Sequence, residues 1–123
     1  MNFYFALAAA LSVFNSALHL FLGGRTIAVP LLTAPGLNDR VRNVQYFCWH
    51  IATIALALQA IVFAVAALQP GETSLAIVGT ALAGAIGLLG LAIPPLRGIS
   101  YRTMPQGWLF VPVTVLGLAG LLF

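Results

Sequence analysis

Four long apolar blocks, at about 2–22, 44–68, 73–94 and 105–123, take up most of the chain and restrict what it can fold into. Each is close to the ~20 residues a helix needs to cross a hydrocarbon core of roughly 30 Å. In such a core every backbone amide must find its partner within the protein, which leaves helices or a closed barrel. A barrel would need many alternating strands of ~10 residues, and the blocks do not alternate. The expected fold is therefore all-α: a polytopic membrane protein with four transmembrane helices in an antiparallel up-down bundle, one domain over residues 1–123. Composition agrees, since 6% of the side chains are charged, 62% are hydrophobic and the mean hydropathy is +1.08, whereas soluble domains carry about 25% charge. No length remains for a soluble catalytic domain. The first block lacks the basic flank of a signal peptide and is too long for its apolar region, so it reads as helix 1.

Charge supplies the orientation. Arg25, Arg40 and Arg42 fall between blocks one and two, Arg97 and Arg102 fall between blocks three and four, and there is no lysine. Loops 23–43 and 95–104 emerge on the same side, so the positive-inside rule makes both cytoplasmic and puts the 69–72 turn and both termini outside. The expected location is the inner (plasma) membrane. The formal net charge of +3 then reflects orientation and anionic head groups, and nucleic acid is not an expected partner.

Within the 23–43 loop, Gly23 and Gly24 of "FLGGR" are expected to end helix 1, and Pro30 and Pro35 to prevent its continuation. The "IAVPLL" core is either a segment lying among head groups or a simple connector. Asp39 should pair locally with Arg40 or Arg42, and Glu72 should favour the positive end of helix 3. Helix 3 carries a small-residue row, Gly79, Ala83 and Gly87, with Gly84 one turn after Thr80. Such rows let backbones approach closely in lipid, inside a monomer or between copies. Pro105 suits the first turn of helix 4, and Pro112 should kink it.

The polar residues fall in stripes. Asn43, Tyr46, His50 and Thr53 recur at helical spacing on helix 2, and Ser12, Asn15, Ser16 and His19 recur on helix 1. At ~1.5 Å per residue His19 and His50 lie at similar depth, with Gln106 near the same level. Polar groups in a membrane interior need partners, so the stripes are expected to face each other. They define a candidate pocket of Asn15, Ser16, His19, Asn43, Tyr46, His50, Thr53 and Gln106. Gln59, on another face of helix 2, needs a partner from helix 3, helix 4 or another copy. Cys48 and Trp49 read as packing and interface residues.

Three uses of the histidines stay open. They can be interhelical hydrogen-bonding groups, or ligands in which His19 and His50 hold a haem iron or another metal. The third is a pocket for a small lipophilic molecule, with His50 and Tyr46 as donors. Two histidines without a nearby carboxylate make an incomplete zinc site. No carboxylate lies within an apolar block, unlike small four-helix drug exporters, and no hydrolase, phosphate-loop or CxxC motif is present. In layout the chain resembles small four-helix bacterial inner-membrane proteins with a histidine near the end of helix 1, an opening such as "NVQYFCWH" to helix 2 and "MPQGW" before helix 4. That resemblance implies a fold and no activity. The expected role is ligand-binding or accessory; the alternatives are a subunit docking on a larger membrane complex or forming a homo-oligomer, and a membrane enzyme using His50, Tyr46 or His19.

Overall fold

The structure, a computed structural model, describes residues 1–69 and 71–123. Among them are four helices and no strand: α1 (Phe3–Thr33), α2 (Asp39–Leu68), α3 (Thr73–Arg97) and α4 (Gln106–Leu122). The first three are long and apolar enough to cross a membrane, and α4 is shorter. The expected tight turn between α2 and α3 includes Pro70, which lies outside the described residues.

Helix starts are set by side chains that accept from otherwise orphaned amides. Asn2 Oδ1 accepts from Phe5 N at 3.2 Å, and Asn38 Oδ1 accepts from Val41 N at 2.9 Å. With Asn38 as cap and Asp39 at the positive end of the dipole, α2 begins five residues before the expected 44. At the end of α3, Gly98 has φ 64° and Ile99 N donates to Pro94 O at 2.8 Å. This left-handed turn stops α3 after Arg97, beyond Pro94 and Pro95, which lie within the helix.

The largest departure from the sequence expectation is α1, which does not end at Gly23 and Gly24. From Leu18 to Ala28 its bonding widens to an eleven-residue π-helix, and Val29–Thr33 resumes α geometry. Neither glycine takes a positive φ, so their freedom to leave the helix goes unused. Pro30 sits in the first turn of the α section, where a missing N–H costs little. Pro112 likewise falls in the first turn of Val111–Leu122, after the 3₁₀ turn Gln106–Leu109, and not in mid-helix. The long 23–43 loop shrinks to Ala34–Asn38. Arg42 clamps this link, donating to Asp39 Oδ1 at 2.8 Å and to the carbonyls of Ala34 (3.1 Å) and Leu37 (3.0 Å).

Each helix packs on its chain neighbours, and α1 closes the ring against α4. The start of α1 meets the ends of α2 and α4: Asn2 N donates to Ala67 O at 2.9 Å, and Asn2 Nδ2 to Gly120 O at 3.0 Å. Small residues hold the axes together. Added Cβ atoms would meet the Phe63 ring at Gly79 (3.2 Å), Phe110 Cβ at Gly87 (3.2 Å) and Gly107 Cα at Gly90 (2.7 Å). Gly117 receives Thr80, and Gly120 receives Phe5. Ala83 is buried, and Gly84 only approaches Thr114 Cγ2, at 3.6 Å. These contacts all lie within the chain.

Core and surface are both apolar, with Phe5, Phe63 and Val113 in the core. Ser12, Asn15, Gln59 and Thr80 are buried, while Phe14, Phe21, Ile54, Leu88 and Leu118 are at least half exposed. Gln59, only 1% exposed, is half satisfied by α3: Nε2 donates to Gly79 O at 3.4 Å, while among the described residues its buried Oε1 has no hydrogen-bond partner.

Candidate functional site

The most concentrated polar and aromatic cluster joins the π section of α1 to α2. His19 stacks on Trp49, with ring centroids 3.8 Å apart and planes 16° from parallel. Its Nε2 lies 3.0 Å from Thr53 Oγ1 and 3.3 Å from Trp49 O. A carbonyl only accepts, and the Thr53 hydroxyl already donates to that same carbonyl at 3.0 Å. Nε2 must therefore carry the proton and donate to both oxygens, leaving Nδ1 as the acceptor. On the neighbouring turn, a Cβ at Gly23 would come within 2.6 Å of Trp49 Cη2. The indole thus occupies the space that Gly23 leaves free and covers one face of the imidazole.

Only part of the expected constellation converges here. Thr53 reaches His19, and Asn15, buried one turn before it, donates from Nδ2 to Leu109 O at 3.0 Å, fastening α1 to the start of α4. Ser16 turns back on its own helix, donating to Ser12 O at 2.8 Å. The expectation that Asn43 and His50 face inward is corrected. Both are exposed; Asn43 donates to Asp39 O at 2.8 Å, and the His50 ring packs edge-on against the half-buried Tyr46 at 4.5 Å. Gln106 is exposed as well. The inner face of α2 instead carries Leu56, Gln59, Ala60 and Phe63, and Trp49 and Thr53 extend it toward the Arg42 end. Relative to the sequence reading, this face is turned by one residue, from His50 to Trp49.

Of the expected ligand pair, His19 Nε2 is engaged by Thr53 Oγ1 and Trp49 O, and His50 is exposed on α2. Among the described residues no group of three or more His, Cys, Asp or Glu side chains is placed to hold a metal. Two concavities stand out, and neither is lined by the eight expected pocket residues. One of about 510 Å³ opens where α1 begins, beside Tyr4, Phe5, Glu72 and Phe123. The other, of about 240 Å³, lies on the first turns of α2 along Arg40, Val41, Val44 and Gln45.

Sequence reasoning missed Trp49 and Gly23 as members of the cluster. Their signal was spacing: Gly23 follows His19 by four residues, and Trp49 precedes Thr53 by four. Thr53→Val removes one acceptor while leaving the Trp49 carbonyl. The expected loss is about 0.6 kcal/mol of bundle stability in mild detergent, within the usual range of interhelical polar contacts. Denaturant titration of variant and wild type measures it. Comparison with known proteins found no match to the chain among family models, curated proteins or solved structures.

Proposed function

We propose that this chain is an accessory protein of the inner (plasma) membrane. Its four helices cross in antiparallel up-down order, with the arginine-bearing connections in the cytoplasm and both termini outside. The observation that carries the membrane reading is the apolar surface. A bundle that already buries an apolar core together with Ser12, Asn15, Gln59 and Thr80 still exposes Phe21 (69%), Leu88 (71%) and Ile61 (57%). Lipid is the solvent that such a surface suits.

The accessory role is supported by two features. The interior is filled by alanine and glycine with Phe5, Phe63 and Val113, and the His19–Trp49 pair braces α1 against α2 beside it, so the histidine on α1 acts as a helix fastener. The polar groups left without interior partners, Asn43 and His50, stand on the outside of α2 beside exposed Phe47, Ile51 and Ile54. An outward imidazole edge-packed on Tyr46 is a hydrogen-bonding group for a neighbouring membrane protein or a second copy of the chain.

The test is a photo-crosslinking amino acid at position 50, with the exposed positions 88 and 118 on the other helices as lipid-facing controls, in intact cells whose membranes are then washed with alkaline carbonate. The expected result is a protein retained in the washed membranes, with one discrete adduct from position 50 and none from the controls. Adducts from all three positions alike, or none, overturn the docking role, and release by carbonate overturns the membrane reading.

A further inference from the structure

The structure assigns to the Arg42 end of α1 and α2 a binding site for an anionic phospholipid, with the head-group phosphate on Arg40 and Gln45 and the first acyl segment along Val41 and Val44. The assignment rests on the membrane reading and adds a ligand to it.

The first observation is length. α1 has 31 residues, which at ~1.5 Å per residue gives roughly 45 Å, against roughly 30 Å of hydrocarbon. The excess lies at one end, because Asn2 is tied to Ala67 and Gly120 at the other. From Leu18 to Thr33 the main partner of α1 beyond its own helix is α2, while α4 begins near the level of Asn15, which bonds Leu109. The two helices therefore continue past α4 as a hairpin.

The second observation is what this hairpin displays. Phe21, Leu22, Val29, Val44 and Phe47 are more than half exposed, so the hairpin is apolar where it leaves the hydrocarbon core. Its charge is one-sided as well. The carboxylate of Asp39 is paired with Arg42, the one ion pair among the described residues, which leaves Arg25 and Arg40 exposed and uncompensated. Apolar surface rimmed by free guanidinium groups complements the head-group layer of an anionic leaflet.

The third is the shallow, open concavity of about 240 Å³ on the first turns of α2, lined by Arg40, Val41, Val44 and Gln45. Arg40 and Gln45 supply donors suited to phosphate and ester oxygens. Val41 and Val44, one turn apart, supply the apolar wall on which a lipid, unlike a free phosphate ion, can rest.

The experiment uses the full chain in nanodiscs of equimolar phosphatidylcholine and phosphatidylglycerol, with retained lipid read by native mass spectrometry. The expected result is phosphatidylglycerol retained over phosphatidylcholine by about fivefold, the factor expected of one arginine at the membrane surface. Arg40→Gln should reduce this to the bulk ratio, and Arg97→Gln, on α3 away from the concavity, should leave it unchanged. Enrichment that survives Arg40→Gln overturns the assignment. So does loss of the lipid to excess inorganic phosphate, which would make the concavity a free-anion site, or a wild type with no enrichment. A wild type that does not enter nanodiscs refutes the membrane reading itself.

Discussion

Gly107→Ala opens the bundle where its backbones run closest. A Cβ at this position would lie 2.5 Å from the carbonyl carbon of Gly90 and 2.6 Å from Leu91 N, and at Gly90 it would lie 2.7 Å from Gly107 Cα. The obstructing atoms are all main chain, so no rotamer change can relieve the clash and α3 and α4 must separate. The separation also removes contact between Phe110 and Gly87 and loosens the Asn15 bond to Leu109, since Gly107, Leu109 and Phe110 share the 3₁₀ turn and its cap. The expected loss is about 3 kcal/mol, the upper part of the ordinary range for overpacking. Gly84→Ala is the matched control. Its Cβ meets only Thr114 Cγ2, at 3.6 Å, and the gain in helix propensity, up to ~1 kcal/mol, makes it neutral or stabilising. Denaturant titration in mild detergent, followed by circular dichroism, reads both. Equal effects would show that the α3–α4 crossing is not limited by the Gly90–Gly107 contact.

That contrast also marks what the sequence could reveal. The four helices were legible because ~20-residue apolar blocks have few other uses, and the small-residue row on α3 was legible because packing in lipid favours close approach. Its partners were not. Gly79 meets Phe63, Gly87 meets Phe110, and the tightest approach belongs to Gly90, one turn beyond the row that sequence spacing picked out. The end of α1 was misread because Gly23, Gly24 and Pro30 permit a break without forcing one, and a π-helix leaves no pattern in residue spacing. The inward face of α2 was displaced by one residue for a related reason. When interior and exterior are both apolar, hydrophobic periodicity carries little information, and polar spacing alone selected His50 when the structure turned Trp49 inward. His19 and Thr53 were within reach because both stripes contained them; the indole between them was not, because tryptophan near a membrane boundary is as readily an interface anchor.

Trp49→Ala should separate the two roles now assigned to α1: wide helix and braced helix. The indole touches the imidazole of His19 across a centroid distance of 3.8 Å and fills the space beside Gly23. Its removal should lower stability by about 2 kcal/mol, less than the 3–5 typical of a fully buried tryptophan because this one is only partly buried. The decisive measurement is a double-mutant cycle with Gly23→Ala. In the wild-type background that methyl would sit 2.6 Å from Trp49 Cη2, and displacing the ring should cost about 1 to 3 kcal/mol. In the Trp49→Ala background the obstruction is gone, so the same methyl should stabilise by up to ~1 kcal/mol through helix propensity. The second substitution thus changes sign, and the coupling should exceed about 1 kcal/mol, well above the scatter between independent sites. Additive effects would mean that the indole does not rest on Gly23, and the π section would then need another account of why it is held against α2.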